Sequence, residues 1–137
     1  MPDNSEYTIL MAEDDAYVRD LYAGRLIKDG FNVIQAVNGV EGLQKALETE
    51  YDVLLLDIMM PEMTGLEVLR KIKEDPTRKD RPVFLMTNLG QEGIIREAFK
   101  LGVNGYFLKT SKLPKEVSAD LQNFLQQGEV PEDAKHV

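Results

Sequence analysis

At 137 residues with 43% hydrophobic content, the chain is long enough to bury one full core and suits one globular domain. Its 24 acidic against 16 basic residues give a net charge of -8, which repels phosphate backbones and anionic lipid surfaces and argues against direct nucleic-acid binding. There is no cysteine for disulfide or thiolate chemistry, no apolar run near the roughly 18 residues that membrane insertion needs, and nothing signal-like in MPDNSEYT, so the cytoplasm is the expected location.

Residues 1–6 read as a disordered N-terminus. YTILMA, Tyr7 to Ala12, is a short apolar run stopped by charges, and so a buried strand. Val18, Leu21, Tyr22 and Leu26 then recur at helical spacing, and Asp29-Gly30 supplies the stop. FNVIQAV is a second strand, after which Asn38 with Glu41 caps a helix carrying Val40, Leu43 and Leu47. YDVLLLD is the third strand. Thr64 with Glu67 fits a capping box ahead of a face made by Leu66, Leu69 and Ile72, and EDPTRKDRP links to the fourth strand, VFLMT. The stripe Ile94, Ile95, Ala98, Phe99 and Leu101 ends at Gly102, VNGYFLK is the fifth strand, and a last helix presents Val117, Leu121, Phe124 and Leu125. Residues 7–127 thus form the domain, and residues 128–137 read as a polar C-terminal tail whose His136 is solvated.

Five nearly continuous apolar strands alternating with helices indicate an α/β, doubly wound fold: a five-stranded parallel sheet, flavodoxin-like, with helices on both faces. In the common order 2-1-3-4-5, ligands sit outside the carboxyl ends of the strands, at the switch point between strands 1 and 3. Strand 1 ends in Glu13-Asp14-Asp15, strand 3 in Asp57, strand 4 in Thr87 and strand 5 in Lys109. Singly these are unremarkable, as a helix start, a strand hydroxyl or a solvated lysine. Together they make an edge with three carboxylates, Glu13, Asp14 and Asp57, opposed by Lys109 alone, an arrangement that raises pKa values unless a cation fills it. Oxygen-only donors favour Mg²⁺ over zinc or copper, with a place left for a phosphate oxygen.

The acidic pair in ILMAEDD, the segment LLLDIMMPEMTG, the hydroxyl in VFLMTN and the aromatic and lysine of GYFLK resemble the receiver domain of two-component response regulators, of the chemotaxis-regulator, single-domain type. The resemblance runs from about Tyr7 to Gln127. It implies that Asp57 takes a phosphoryl group from a sensor histidine kinase or a histidine phosphotransfer domain. Asp14 and Asp57 would ligate Mg²⁺ with the backbone carbonyl of Met59, Glu13 would hold metal-bound water, and Lys109 and the backbone N–H of Asn88 would bind the phosphoryl oxygens. Thr87 would swing onto the phosphate and Tyr106 would turn into the vacated space, changing the helix 4, strand 5, helix 5 face read by a downstream protein effector. The resemblance implies a self-phosphorylating phosphoacceptor, with autodephosphorylation left open, rather than a conventional enzyme. A phosphorylation-dependent dimer is left open, and Tyr106 has the plainer reading of a packed strand aromatic. Met59, Met60 and Met63 read as rim and gap-filling side chains.

Two positions depart from the family. Asn88 follows Thr87 where receivers usually have a small residue, and Lys109-Thr110 replaces the usual Lys-Pro; since a cis bond before a non-proline residue costs about 2.5–4 kcal/mol, a trans peptide is expected. A flavin mononucleotide site would be repelled by AEDDA, and a haloacid-dehalogenase-type phosphatase wants an acid where Met59 stands. The remaining rival is an unphosphorylated receiver-like module that binds partners constitutively. Too few residues follow the last helix for a DNA-binding output domain in the same sequence, unless the tail is a linker in a longer protein.

Overall fold

Short apolar runs flanked by turns become parallel strands in the computed structural model, which describes residues 3–136. Among the described residues these are β1 (Thr8–Ala12), β2 (Asn32–Ala36), β3 (Val53–Asp57), β4 (Val83–Thr87) and β5 (Gly105–Leu108). They alternate with α1 (Ala16–Lys28), α2 (Gly39–Glu48), α3 (Gly65–Glu74), α4 (Glu92–Lys100) and α5 (Pro114–Gln127). The sheet order is β2-β1-β3-β4-β5, all parallel, so the doubly wound expectation is met.

Strand side chains alternate between two cores, as a period of two requires. Leu10, Leu54, Leu56 and Leu85 pack with Ala46, Val68, Ile72 and Ile95 from α2, α3 and α4. Ile9, Leu55, Phe84 and Phe107 pack on the other face with Tyr22 and Leu26 of α1 and Val117 and Leu121 of α5. β3 lies in the middle and is buried along its whole length, Asp57 included. Both expected N-caps form, with Asn38 accepting from Glu41 N–H at 2.8 Å and Thr64 Oγ1 from Glu67 N–H at 3.2 Å, but the box expected at Thr64 does not close, since the Glu67 carboxylate accepts from the Thr64 hydroxyl at 3.2 Å instead of from its backbone N–H. No described helix is long and apolar enough to cross a membrane.

Two helix faces differ from the periodic reading. Leu21 is 45% exposed and Ala23 buried, because the stripe through Tyr22 and Leu26 leaves Leu21 to one side. Val40 is also exposed, and α2 instead buries Gly39, Gly42 and Ala46, which lets it lie close to the sheet: a Cβ on Gly42 would meet Ala12 Cβ at 3.0 Å.

The chain ends also depart from expectation. Met1, Pro2 and Val137 lie outside the described residues, but of the segment expected to be disordered Asn4 is only 2% exposed. Its amide donates to the Asp29 carbonyl at 2.8 Å and Gln122 Oε1 at 2.9 Å, and its Oδ1 accepts from Gln126 Nε2 at 2.9 Å. A polar side chain with every group satisfied is buried at little cost, which residue polarity alone does not reveal. The tail is polar yet not loose: a 3-10 turn at Glu132–Ala134 places Ala134, 1% exposed, in the α1/α5 core. The His136 imidazole is solvated, as expected.

Gly65 marks the tightest crossing near the end of β3. A Cβ there would stand 2.3 Å from the Asp57 carbonyl oxygen and 2.8 Å from Ile58 Cα, both backbone atoms. Gly65→Ala therefore has to displace the β3–α3 turn and is expected to lower stability by about 1–3 kcal/mol or more, read from urea unfolding midpoints. An unchanged midpoint would show that the turn yields freely.

Candidate functional site

Parallel strands deliver their carboxyl ends to one edge, and β1, β3 and the residue after β5 supply the charges there. Three consecutive acids after β1 meet three different fates. Glu13 is 1% exposed, with its backbone N–H donating to the Ala36 carbonyl at 3.1 Å. Asp14 is exposed and faces the cleft. Asp15 caps α1, its Oδ1 accepting from Tyr17 and Val18 N–H at 2.9 and 3.1 Å. Carboxylate oxygens of Glu13, Asp14 and Asp57 all lie within 4.8 Å of one another.

Asp57 is held from several directions. β3 fixes its backbone, the ladder continues one residue further as Ile58 N–H donates to the Met86 carbonyl at 3.2 Å, and Gly65 N–H returns to the Ile58 carbonyl at 2.8 Å. Met60 is buried and Met59 exposed at the mouth, as rim and filler residues should be. Lys109 arrives from the far side of β4, its N–H donating to the Thr87 carbonyl at 2.8 Å. Its ammonium stands 3.0 Å from Asp57 Oδ1 and 2.9 Å from Glu13 Oε2, with a side chain only 14% exposed. The Lys109-Thr110 peptide is trans, and a turn with Ser111 and Lys112 N–H both donating to the Leu108 carbonyl keeps the lysine over the carboxylates.

The charge balance is unequal. Burial, then the Glu13 carboxylate, push Asp57 up to about 7, with Lys109 offsetting only part of it. Burial pulls the Lys109 ammonium down, but its close contact with the Glu13 carboxylate and the charge of Asp57 outweigh it and hold the lysine above its ordinary value. Glu13 Oε2 remains buried without a well-directed hydrogen bond, since its contact with Lys109 is close but misaligned.

Of the residues expected to act as a switch, Asn88 lines this cleft with Asp57, Met59 and Lys109. Thr87 is 1% exposed and its hydroxyl donates to the Asn88 carbonyl at 3.1 Å. Tyr106 packs edge-on against Phe99 with ring centroids 6.2 Å apart, and its hydroxyl donates to the carbonyl of His136. The pairs Leu85–Tyr106 and Thr87–Leu108 put Thr87 and Tyr106 on the same face of adjacent strands. The sequence reading missed Arg19, whose Nη1 donates to the Glu13 carbonyl at 2.8 Å and fixes the acidic loop; a side chain bound to a main-chain carbonyl has no motif to betray it.

Comparison with known proteins decides the family. The model of the response regulator receiver domain matches residues 9–119. The chain belongs to that family. Its relatives include the transcriptional regulatory protein ResD of Bacillus subtilis (strain 168), 36% identical over 117 residues, which is 85% of this chain and 47% of ResD. Among solved structures, the chemotaxis response regulator CheY4 of Vibrio cholerae is 26% identical with a TM-score of 0.77, over 85% of this receiver and 97% of CheY4. The phosphorylated cyanobacterial phytochrome response regulator RcpA is 26% identical with a TM-score of 0.78, over 90% and 96% of the two chains. The receiver spans about half the length of the curated relatives it matches.

The raised Asp57 pKa has a sign that can be tested. A carboxyl at about 7 in the fold against 3.8 outside it binds its proton more tightly when folded. Its ionisation therefore costs no stability below about pH 4, and an increasing amount as pH climbs to about 7. Without divalent ions, Asp57→Asn is expected to be more stable than wild type at pH 8, and the gap to widen by on the order of 1–3 kcal/mol between pH 5 and pH 8. Urea titrations at the two pH values measure it, and a gap that does not grow would place Asp57 in a less strained setting.

Proposed function

We propose that this receiver takes a phosphoryl group onto Asp57 from the phosphohistidine of a sensor kinase or a histidine phosphotransfer domain. The observation that carries the reading is the Asp57 carboxylate at the end of a fully buried strand, 3.0 Å from the Lys109 ammonium and within 4.8 Å of two further carboxylates. In the transfer, an Asp57 oxygen forms a bond to phosphorus as the phosphorus–nitrogen bond to the donor imidazole breaks, and the departing imidazole takes up a proton. The product is a mixed anhydride, which a carboxylate is able to form. Phosphoryl transfer asks the protein mainly for positioning and for neutralisation of charge on the phosphoryl oxygens.

The donor set fits Mg²⁺. All its atoms are oxygens, their charge exceeds what Lys109 balances, and Glu13 keeps a buried oxygen with no well-directed donor. Asp14, Asp57 and the Met59 carbonyl are the proposed ligands, with Glu13 acting through water. When bound, Mg²⁺ would favour the ionised form of Asp57 at neutral pH and offset charge on the incoming phosphate. Lys109, already on Asp57, moves to a phosphoryl oxygen, and the Asn88 N–H binds another. The Thr87 hydroxyl leaves the Asn88 carbonyl for the phosphate, and Tyr106 turns toward the space it vacates. The α4–β5–α5 face then changes for a protein effector. That RcpA has been solved phosphorylated supports the same chemistry here. The name of ResD suggests an effector role in transcription, while the charge of -8 puts any nucleic-acid contact on a partner or another segment rather than on this surface. The cytoplasm suits a phosphohistidine donor.

Intact mass after incubation with acetyl phosphate tests the reading. One phosphoryl group is expected on wild type with Mg²⁺, and none on Asp57→Asn or with EDTA; no gain on wild type would favour a constitutive binding module. Asn88 lines the cleft beside Asp57, where its side chain would obstruct water attacking the anhydride. Asn88→Ala is expected to shorten the lifetime of the phosphorylated form several-fold by the same mass assay, and equal lifetimes would remove Asn88 from that role.

A further inference from the structure

Residues 130–136 lie against β5, the strand that carries Tyr106. β5 is an edge strand, with β4 on one side only. Gly128 ends α5 in the left-handed conformation (φ 75°), its N–H donating to the Phe124 carbonyl at 2.8 Å, and so turns the chain back toward that edge. Val130 packs against the α1/α5 core, and after Pro131 the 3-10 turn buries Ala134. The approach is close: a Cβ on Gly105, the first residue of β5, would stand 3.0 Å from the Ala134 carbonyl oxygen. A glycine at this edge strand therefore makes room for the returning backbone.

Charge and a single hydroxyl complete the seat. Lys112 lies 2.9 Å from Asp120 of α5 and 3.3 Å from Asp133 of the tail, bridging the two. Tyr106, from the middle of β5, donates its hydroxyl to the carbonyl of His136. A cleft between Leu108, Ser111 and Lys112 on one side and Asp133 and His136 on the other stays open beneath the tail. Few groups hold the segment, and ordering some seven residues opposes them. Such a contact is poised so that loss of one hydrogen bond changes its occupancy severalfold.

We infer that the β5–α5 edge is a docking surface for an acidic segment with a small apolar anchor, occupied in the resting chain by its own residues Val130–His136 and latched there by the Tyr106 hydroxyl. The further statement that phosphorylation opens the latch rests on the function proposed above, because Tyr106 cannot turn toward Thr87 and keep the His136 carbonyl. An effector reading this edge must then displace the tail, and it meets Lys112 and the seat of Ala134 only once the tail has left.

Hydrogen exchange on the full chain separates these statements. In resting wild type, the amides of residues 132–136 should exchange more slowly than in a synthetic peptide of the tail sequence. Tyr106→Phe should speed them by on the order of 3- to 10-fold while exchange in α1 and α3 stays unchanged, which shows that the variant is folded. Ala134→Asp, with Tyr106 intact, should release the tail by removing its apolar anchor. After acetyl phosphate and Mg²⁺, with uptake confirmed by mass, the tail of wild type should approach the rate of the peptide. Peptide-like exchange in resting wild type, or unchanged exchange in both variants, overturns the docking and its latch. A confirmed phosphoryl group with the tail still protected overturns the coupling. Absence of uptake overturns the function proposed for Asp57 and leaves the two variants to decide the latch.

Discussion

Everything at the carboxyl edge of the sheet depends on one ionic contact, that of the Lys109 ammonium with Asp57 and Glu13. Two buried carboxylates side by side repel in a medium that screens poorly, and one lysine between them neutralises only half of their charge. The sheet is what forces the meeting. Glu13 follows β1, Asp57 ends β3 and Lys109 follows β5, and in parallel strands those three ends necessarily share an edge. Burial of β3 on both faces gives Asp57 no path away from the conflict. The residual negative charge is thus built into the resting fold, and a divalent cation is the natural means of relieving it.

The loops around the triad are set by backbone, not by charge. Of the three acids in Glu13-Asp14-Asp15, which one faces the cleft is decided by the start of α1, since Asp15 is consumed as its cap. Arg19, one turn further on, then pins the Glu13 carbonyl. On the β3 side, Gly65 allows α3 to begin against the Asp57 carbonyl, and Gly39 allows α2 to begin against the Met63 carbonyl, where a Cβ would stand 1.9 Å from its oxygen. The two approaches clamp the segment from Ile58 to Thr64 between helix starts. Its freedom to retreat from the cleft is small, which suits a site that works by positioning.

The fold class, strand order and converging polar groups were legible because each has a one-dimensional signature: continuous apolar runs, caps three residues apart, and a polar residue at the close of each run. Less legible were features that depend on distance in space. Leu21 and Leu26 look alike by helical spacing, yet only the second meets the sheet. Asn4 is polar by composition and buried by virtue of partners near both ends of the chain, in Asp29, Gln122 and Gln126. The tail was read from its charges, whereas its placement rests on Val130 and Ala134, two small apolar residues in a charged run. At Lys109-Thr110 the loss of the family's proline raised the question of whether the lysine would still reach the carboxylates. With a trans peptide and the turn onto the Leu108 carbonyl, the lysine still reaches both carboxylates.

The positions of the Thr87 and Tyr106 hydroxyls bear on how the proposed phosphorylation would reach a surface away from the cleft. Thr87 donates to a carbonyl in the β4–α4 loop and Tyr106 to a carbonyl in the tail. Neither bond belongs to the sheet ladder, so either is given up without disturbing β4 or β5. A phosphoryl group on Asp57 would offer the Thr87 hydroxyl a charged acceptor, and a hydrogen bond to a charged group is worth about 1.5–3 kcal/mol against about 0.5–1.5 kcal/mol for a neutral one. That difference would favour the movement proposed for Thr87. Because Thr87 and Tyr106 project from the same face of neighbouring strands, the space that one leaves is space that the other borders. In the proposed switch the strands would remain fixed while the two side chains exchange neutral carbonyls for other partners, and the surface to change would be the one on which β5, α5 and the tail meet.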